Sequence, residues 1–324
     1  MSGGNGTMRA AALERPGSIR IASHERPDPG PGEVRVRLEG SGVCASNLEV
    51  WRGRPWFDYP LPPGAPGHEG WGRVDAVGTG VEGFREGERV ASLGQRAYAE
   101  YDLVRAEQLV PIPEELGEAP FPGEALGCAM NIFARSGIET DQTVAIVGVG
   151  FLGAILTRLS AHAGARVIAI SRRTFALDLA RRQGAAETLQ LEDHAAVVEA
   201  VGEMTGGSFC DRVIEATGKQ EPLDLSGELT RERGRLVIAG FHQGGRRSVD
   251  LQLWNWRGLD VINAHERDPV VYRHGVERAI DAVRSGHLDV APLITHTLPL
   301  DRLDEALDLA EERPDGFLKA VVVP

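Results

Sequence analysis

Residues 67–81 read GHEGWGRVDAVGTGV, with a histidine and a glutamate set among glycines. Upstream, GSGVCASN supplies a cysteine, so Cys44 and His68 offer sulfur and nitrogen donors beside flexible backbone. Two readings are open at this point, a charged surface turn or a binding site. The chemistry that such donors suit is metal-assisted. Hydride transfer from an alcohol requires the hydroxyl to lose its proton, and a zinc ion bound to that oxygen lowers its pKa. A catalytic zinc takes about three N, S or O ligands and keeps one position open.

A hydride also needs a carrier. GVGFLG places Gly148, Gly150 and Gly153 at the G-x-G-x-x-G spacing, with Phe151 and Leu152 completing the turn. The run TVAIV precedes it as a short apolar strand, and Ile155, Leu156, Leu159 and Ala163 follow on one helical face. In that context the first glycine permits the tight turn and the second lets a pyrophosphate approach the backbone. The third lets helix and strand pack closely. The next strand, VIAI, ends in Ser171-Arg172-Arg173. An NAD site usually carries a carboxylate there, whereas a hydroxyl followed by two guanidinium groups suits the extra phosphate of NADP. The same arginines also read as a solvated helix start. Further strands at DRVIEATG and RLVIAG put Thr217 and His242 at the ligand-binding end of a sheet, as cofactor contacts.

These groups need a scaffold. Strands alternating with helices from residue 143 predict a doubly wound parallel sheet. The first third is written differently: EVRVRLEG, WGRVDAVG and GERVAS are short strands between turns. The end of the chain predicts a helix over DRLDEALDLAEER capped by Asp301, then a strand at FLKAVVV. The economical layout is an α/β nucleotide-binding domain, residues 126–262, inserted into a β-rich catalytic domain built from residues 1–125 and 263–324.

The formal net charge of -12 excludes a general affinity for nucleic acid or anionic membrane. No apolar run reaches the ~18 residues of a membrane span. The start, MSGGNGTMRAAALERPG, has no signal-peptide core, so the expected location is cytoplasmic. Three cysteines, Cys44, Cys128 and Cys210, are too few for a disulfide framework.

Taken together the motifs resemble the zinc-dependent medium-chain dehydrogenase/reductase superfamily, its alcohol and sorbitol dehydrogenases in particular. The likeness rests on G-H-E-x-x-G followed by G-x-x-V at Gly67, His68, Glu69, Gly72, Gly78 and Val81, upstream of GVGFLG. It implies a Rossmann sheet inserted into a GroES-like catalytic domain and hydride exchange between NADP(H) and an alcohol/carbonyl pair. The assembly expected is a homodimer or homotetramer. It also implies one catalytic zinc held by Cys44 and His68, with Glu69 behind the metal and able to enter its coordination sphere. The third ligand is Glu124, read from FPGEALGCAMNIF by likeness to the sorbitol dehydrogenase branch; Cys128 is the alternative. Ser46 matches the residue that takes the alcohol proton. Asn47 stands where relatives carry an aspartate supporting the histidine, and Glu49 where many carry the relay's terminal histidine. The cysteine-rich lobe for a structural zinc is missing from RVASLGQRAYAEYDLV, so one zinc per chain is expected.

Trp51, Trp56, Phe57 and Tyr59 read either as core or as a pocket wall. Asn263, His265 and Glu266 read either as an exposed turn or as partners for a polyol, cyclitol or sugar-like substrate. Two other functions fit the same fold: a zinc-free reductase of the superfamily, and a non-catalytic NADPH-binding protein.

Overall fold

Strand β1 (Thr7–Arg15) turns back on β2 (Ser18–Glu25) in an antiparallel pair, and β3 (Glu33–Gly42) begins the main sheet of the first unit. The structure, a computed structural model, describes residues 6–324. After β3 come the short helix α1 (Asn47–Trp51) and strands β4 (Glu69–Val77), β5 (Arg89–Ser92), β6 (Tyr101–Arg105) and β7 (Leu109–Pro111). Helix α2 (Gly123–Ser136) then leads into the second unit. The chain divides into two compact units, one running up to Gly127 and resuming at Asp268, the other spanning Cys128–Arg267.

The second unit alternates β8 (Thr143–Val147), α3 (Phe151–His162), β9 (Arg166–Ser171), α4 (Thr174–Arg182), β10 (Glu187–Gln190) and α5 (His194–Met204). It continues through β11 (Cys210–Glu215), α6 (Gln220–Leu229), β12 (Thr230–Ile238), α7 (Leu251–Arg257) and β13 (Asp260–Asn263). Its six strands are ordered β10-β9-β8-β11-β12-β13 and every neighbouring pair is parallel. This is the doubly wound order, with its switch point between β8 and β11. Val144, Ala145, Ile146 and Val147 are fully buried because strands of such a sheet are covered on both faces. Cys210 sits in this core, where burial pushes its thiol up to about 12.

The chain returns to the first unit with α8 (Pro269–Arg284), β14 (His296–Pro299), α9 (Leu303–Glu312) and β15 (Ala320–Val323). β15 lies between β14 and β3, completing the order β14-β15-β3-β4-β5-β7, with β6 also paired to β3. Asp301 does not cap α9 as expected. It lies in a 3-10 turn, Leu300–Arg302, that precedes the helix, and its carboxylate pairs with Arg9 at 2.9 Å. No helix among the described residues is long and apolar enough to cross a membrane.

β6 carries an unusual charge. Asp102 is 2% exposed, and its Oδ2 accepts no hydrogen bond. Burial outweighs the help of the Leu103 and Arg96 backbone groups and pushes its carboxyl up to about 6. A folded-state pKa above the unfolded one contributes stability that is present below about pH 4 and lost as pH rises through about 6. Asp102→Asn removes that charge while keeping an acceptor. It should raise stability at pH 8 on the order of 3 kcal/mol and change little near pH 4, as read by denaturant unfolding at the two pH values.

Candidate active site

Three neighbouring strands build the floor of the site. Gly42, at the end of β3, pairs with Glu69 of β4 on one side and with Val321 of β15 on the other. The glycine is required by what lies over it, since a Cβ there would come within 1.8 Å of Glu69 Oε2. Across this gap Lys319 Nζ reaches both Glu69 oxygens, Oε1 at 2.6 Å and Oε2 at 2.5 Å, with the hydrogen bond going to Oε1. Both side chains are buried. Burial opposes the Lys319 charge, but Glu69 and then Cys44 more than offset it and raise its pKa.

Above this pair, Cys44 follows β3 in the turn that enters α1, and His68 immediately precedes β4. The ligand atoms of Cys44, His68 and Glu69 all lie within 4.8 Å of one another, the one such group among the described residues. The His68 ring is oriented from behind: Nδ1 lies 2.9 Å from the Pro66 carbonyl, which also accepts Asn47 Nδ2 at 3.0 Å. A proton on Nδ1 donated to that carbonyl leaves Nε2 as the coordinating nitrogen. Burial disfavours a charged ring, yet the hydrogen bond and charge of Cys44, with the charges of Glu124 and Glu69, push His68 up to about 10. The surrounding groups therefore favour positive charge at the ring. A soft sulfur, an imidazole and a carboxylate are donors that suit zinc, so the residues fit the ion their pattern implies.

Asn47 and Pro66 lie behind His68. Asn47, where relatives carry an aspartate, accepts the hydroxyl of fully buried Tyr98 on its Oδ1 at 2.7 Å, and its Nδ2 lies 3.4 Å from His68 Nδ1. The Pro66 carbonyl does the orienting. Ser46 Oγ lies 3.4 Å from His68 Nε2, on the ligand side of the ring. Glu49 is held by two arginines: Arg52 holds one of its oxygens at 2.9 Å and Arg54 the other, and the Arg54 hydrogen bond is the main cause of its lowered pKa. Glu124, on the first turn of α2, bears electrostatically on His68 and Lys319 but lies outside the close group of three. Cys128 is one helical turn further along α2.

In the second unit Gly148 has φ +102°, and a Cβ there would lie 2.4 Å from Thr217 Cγ2. A Cβ on Gly153 would lie 2.0 Å from the Gly148 carbonyl, the close strand–helix packing that the spacing predicts. A Cβ on Gly150 would meet nothing within 4 Å, so open space lies on that side of the turn. Phe151 and Leu152 open α3. Ser171 ends β9 and accepts Arg173 N at 3.3 Å, while the Arg173 guanidinium bends over the turn to the Val149 carbonyl at 3.4 Å. Arg172 is exposed.

The polar atoms of Thr217 and His242 already have partners within the protein. The Thr217 hydroxyl donates to Glu215 Oε1 at 2.5 Å, and both His242 ring nitrogens are engaged, with Glu215 and with Arg247. Of the ambiguous segments, Trp51 packs against a core cluster while Trp56 is 55% exposed. Asn263 Oδ1 accepts His265 N at 3.0 Å and Glu266 Oε1 accepts Arg267 N at 2.7 Å, the local bonding of an exposed turn.

Lys319, Tyr98, Glu215 and Arg247 escaped the sequence reading. For Lys319 there was a signal: the chain has two lysines, 219 and 319, and the second sits within the apolar run FLKAVVV. A charge in a buried strand needs a buried partner.

Comparison with known proteins points the same way. A family model described as alcohol dehydrogenase GroES-like domain matches residues 30–114, and one described as zinc-binding dehydrogenase matches residues 152–283. An erythritol/L-threitol dehydrogenase of Mycolicibacterium smegmatis is 29% identical over 98% of this chain and 98% of its own length. An alcohol dehydrogenase of Cupriavidus necator is 28% identical over 98% of this chain and 99% of its own. Among solved structures, a Sinorhizobium meliloti protein described as a zinc-binding dehydrogenase, bound to NADP, superposes with a TM-score of 0.84 at 29% identity. That match covers 98% of this chain and all of the other.

The buried pair generates a prediction about the floor of the site. Lys319→Met leaves Glu69 buried without its counter-ion and should cost about 3–5 kcal/mol of stability. The double variant Glu69→Leu with Lys319→Met should recover most of that loss, as read from unfolding midpoints.

Proposed function

Because the chain belongs to the zinc-type medium-chain dehydrogenase/reductase superfamily of oxidoreductases, we propose that it is a zinc-dependent, NADP-preferring dehydrogenase of an alcohol/carbonyl pair. The convergence of Cys44, His68 and Glu69 with the His68 ring oriented by Pro66 carries this reading. Cys44, His68 and Glu124 are the proposed zinc ligands, and Glu69, held by Lys319, is the anion behind them. A zinc ion there supplies Lewis acidity to the substrate oxygen, and a nicotinamide supplies the hydride acceptor or donor. Ser46, whose Oγ lies 3.4 Å from His68 Nε2, is the group we assign to take the hydroxyl proton. With Glu49 pinned by two arginines, that proton passes from Ser46 to water rather than through the Glu49 carboxylate.

For the carrier, Gly148, Gly150 and Gly153 receive the pyrophosphate at the start of α3. Ser171, Arg172 and Arg173 follow β9, where a dinucleotide presents its adenosine ribose. The absence of a carboxylate there, together with the guanidinium of Arg173 beside the glycine turn, supports NADP over NAD. A polyol is the substrate class we favour. Its support comes from similarity to an erythritol/L-threitol dehydrogenase, a D-arabitol-phosphate dehydrogenase and a 2R,3R-butanediol dehydrogenase. It no longer draws on Asn263 and Glu266, whose oxygens are occupied locally.

Two measurements test the reading. Metal analysis of unchelated protein should give about one zinc per chain. Glu124→Ala should lose it, with kcat falling by about a hundredfold or more, while Cys128→Ala keeps it. Protein that binds NADPH yet contains no zinc would instead be a zinc-free reductase or a binding protein. Replacing Ser171 with Asp and Arg172 and Arg173 with Gln should move the ratio of kcat/KM for NADP over NAD by about tenfold or more toward NAD; an unchanged ratio refutes the phosphate assignment.

A further inference from the structure

At the carboxyl ends of β11 and β12 lies a buried anion that the reaction above does not use. Glu215 ends β11 and is fully buried. Its Oε1 accepts Thr217 N at 2.7 Å, Gly218 N at 2.9 Å and the Thr217 hydroxyl at 2.5 Å. Its Oε2 accepts His242 Nε2 at 2.8 Å. With Nε2 donating, Nδ1 keeps the lone pair that accepts Arg247 Nε at 3.2 Å, and Arg247 Nη2 donates to the Gly218 carbonyl at 2.9 Å. The contacts close a ring from Glu215 through His242 and Arg247 back to the turn that Glu215 holds.

The backbone around the ring leaves no slack. A Cβ on Gly240 would lie 2.2 Å from Gly218 N and 2.5 Å from Glu215 Oε2, and one on Gly218 would lie 2.5 Å from the Phe241 carbonyl. The turn also abuts the glycine turn, because the Thr217 methyl fills the space that a side chain on Gly148 would need. Whatever fixes Thr217 therefore fixes one wall of the switch-point crevice, where ligands bind in open α/β sheets. A buried carboxylate is costly unless its acceptor capacity is filled, so withdrawing one donor should loosen the turn rather than leave it unchanged.

We propose that His242 and Arg247 are positioning residues for dinucleotide binding. They clamp the segment after β12 onto the Glu215 turn and so hold Thr217 against the first glycine of the phosphate-binding turn. This rests on the reading that the crevice takes a dinucleotide.

The test compares His242→Ala, His242→Gln and Arg247→Met by two readouts. Amide hydrogen exchange of the cofactor-free protein follows residues 216–219 and 240–247, and fluorescence titration gives the NADPH Kd. His242→Ala should speed exchange in both segments and weaken NADPH binding by about tenfold, the loss of one hydrogen bond to a charged group. Glutamine can donate its amide NH to Glu215 and accept from Arg247, so His242→Gln should restore both readouts. Arg247→Met should lie between, and it carries the same comparison if His242→Ala does not fold. Wild-type exchange and Kd in folded His242→Ala would overturn the clamp. A glutamine variant as weak as alanine, with protected loops, would overturn it in favour of direct contact by the imidazole. Wild-type protein that binds neither NADPH nor NADH removes the dinucleotide reading itself, and the positioning role with it; the exchange data still report whether the ring holds the loops.

Discussion

The ion pair between Glu69 and Lys319 is the constraint around which the first unit is organised. It joins β4 to the start of β15 across a glycine of β3, and the proposed zinc ligands His68 and Cys44 lie one residue before Glu69 and two after Gly42. Strand pairing thus determines where the donors stand. The pair also sets the electrostatics. With Glu69 matched by Lys319, the local excess of negative charge comes from Cys44 and Glu124, and it favours a cation at His68 Nε2. A buried pair of this kind contributes little net stability compared with apolar packing. Its value lies in holding a carboxylate still beneath the site.

The second unit solves a similar problem with different means. Its buried carboxyl group, Glu215, is satisfied chiefly by backbone N–H groups and a hydroxyl rather than by an ammonium. Donors fixed in a turn need little reorganisation, whereas a lysine reaching from another strand must be ordered on folding. Both devices bury a carboxylate next to a glycine that a side chain would overfill. Gly42 and Gly240 are there for the neighbour's atoms and not for their own dihedral freedom.

Much of this was legible in the sequence, for stated reasons. The doubly wound sheet could be read because the period of apolar residues, the glycine spacing and the strand–helix alternation agree. Cys44 and His68 could be singled out because sulfur and imidazole beside glycines are chemically expensive residues for a plain turn. The partners were harder. Lys319 lies 250 positions from Glu69, and only the pairing of β15 with β3 brings them together. Pro66 acts through its carbonyl, which every residue has, so nothing in its side chain announces the role. For Glu49 likeness suggests a role by position, while the two arginines that hold it could be seen only in the structure. Asp301 is a good cap residue by type, but an ion pair with Arg9 takes up its carboxylate instead.

The place of β15 has a consequence for how the protein comes into being. A ribosome releases β3 and β4 early, with Cys44 and His68 already in hand, but β15 is the last strand of that sheet to be made. Until then β3 lacks its β15 neighbour, Glu69 has no counter-ion, and the edge is open to the pairing that leads to aggregation. The intervening nucleotide unit is drawn from one continuous stretch and can complete its own sheet meanwhile. Synthesis therefore runs in an order that finishes the second unit first and closes the proposed metal site last.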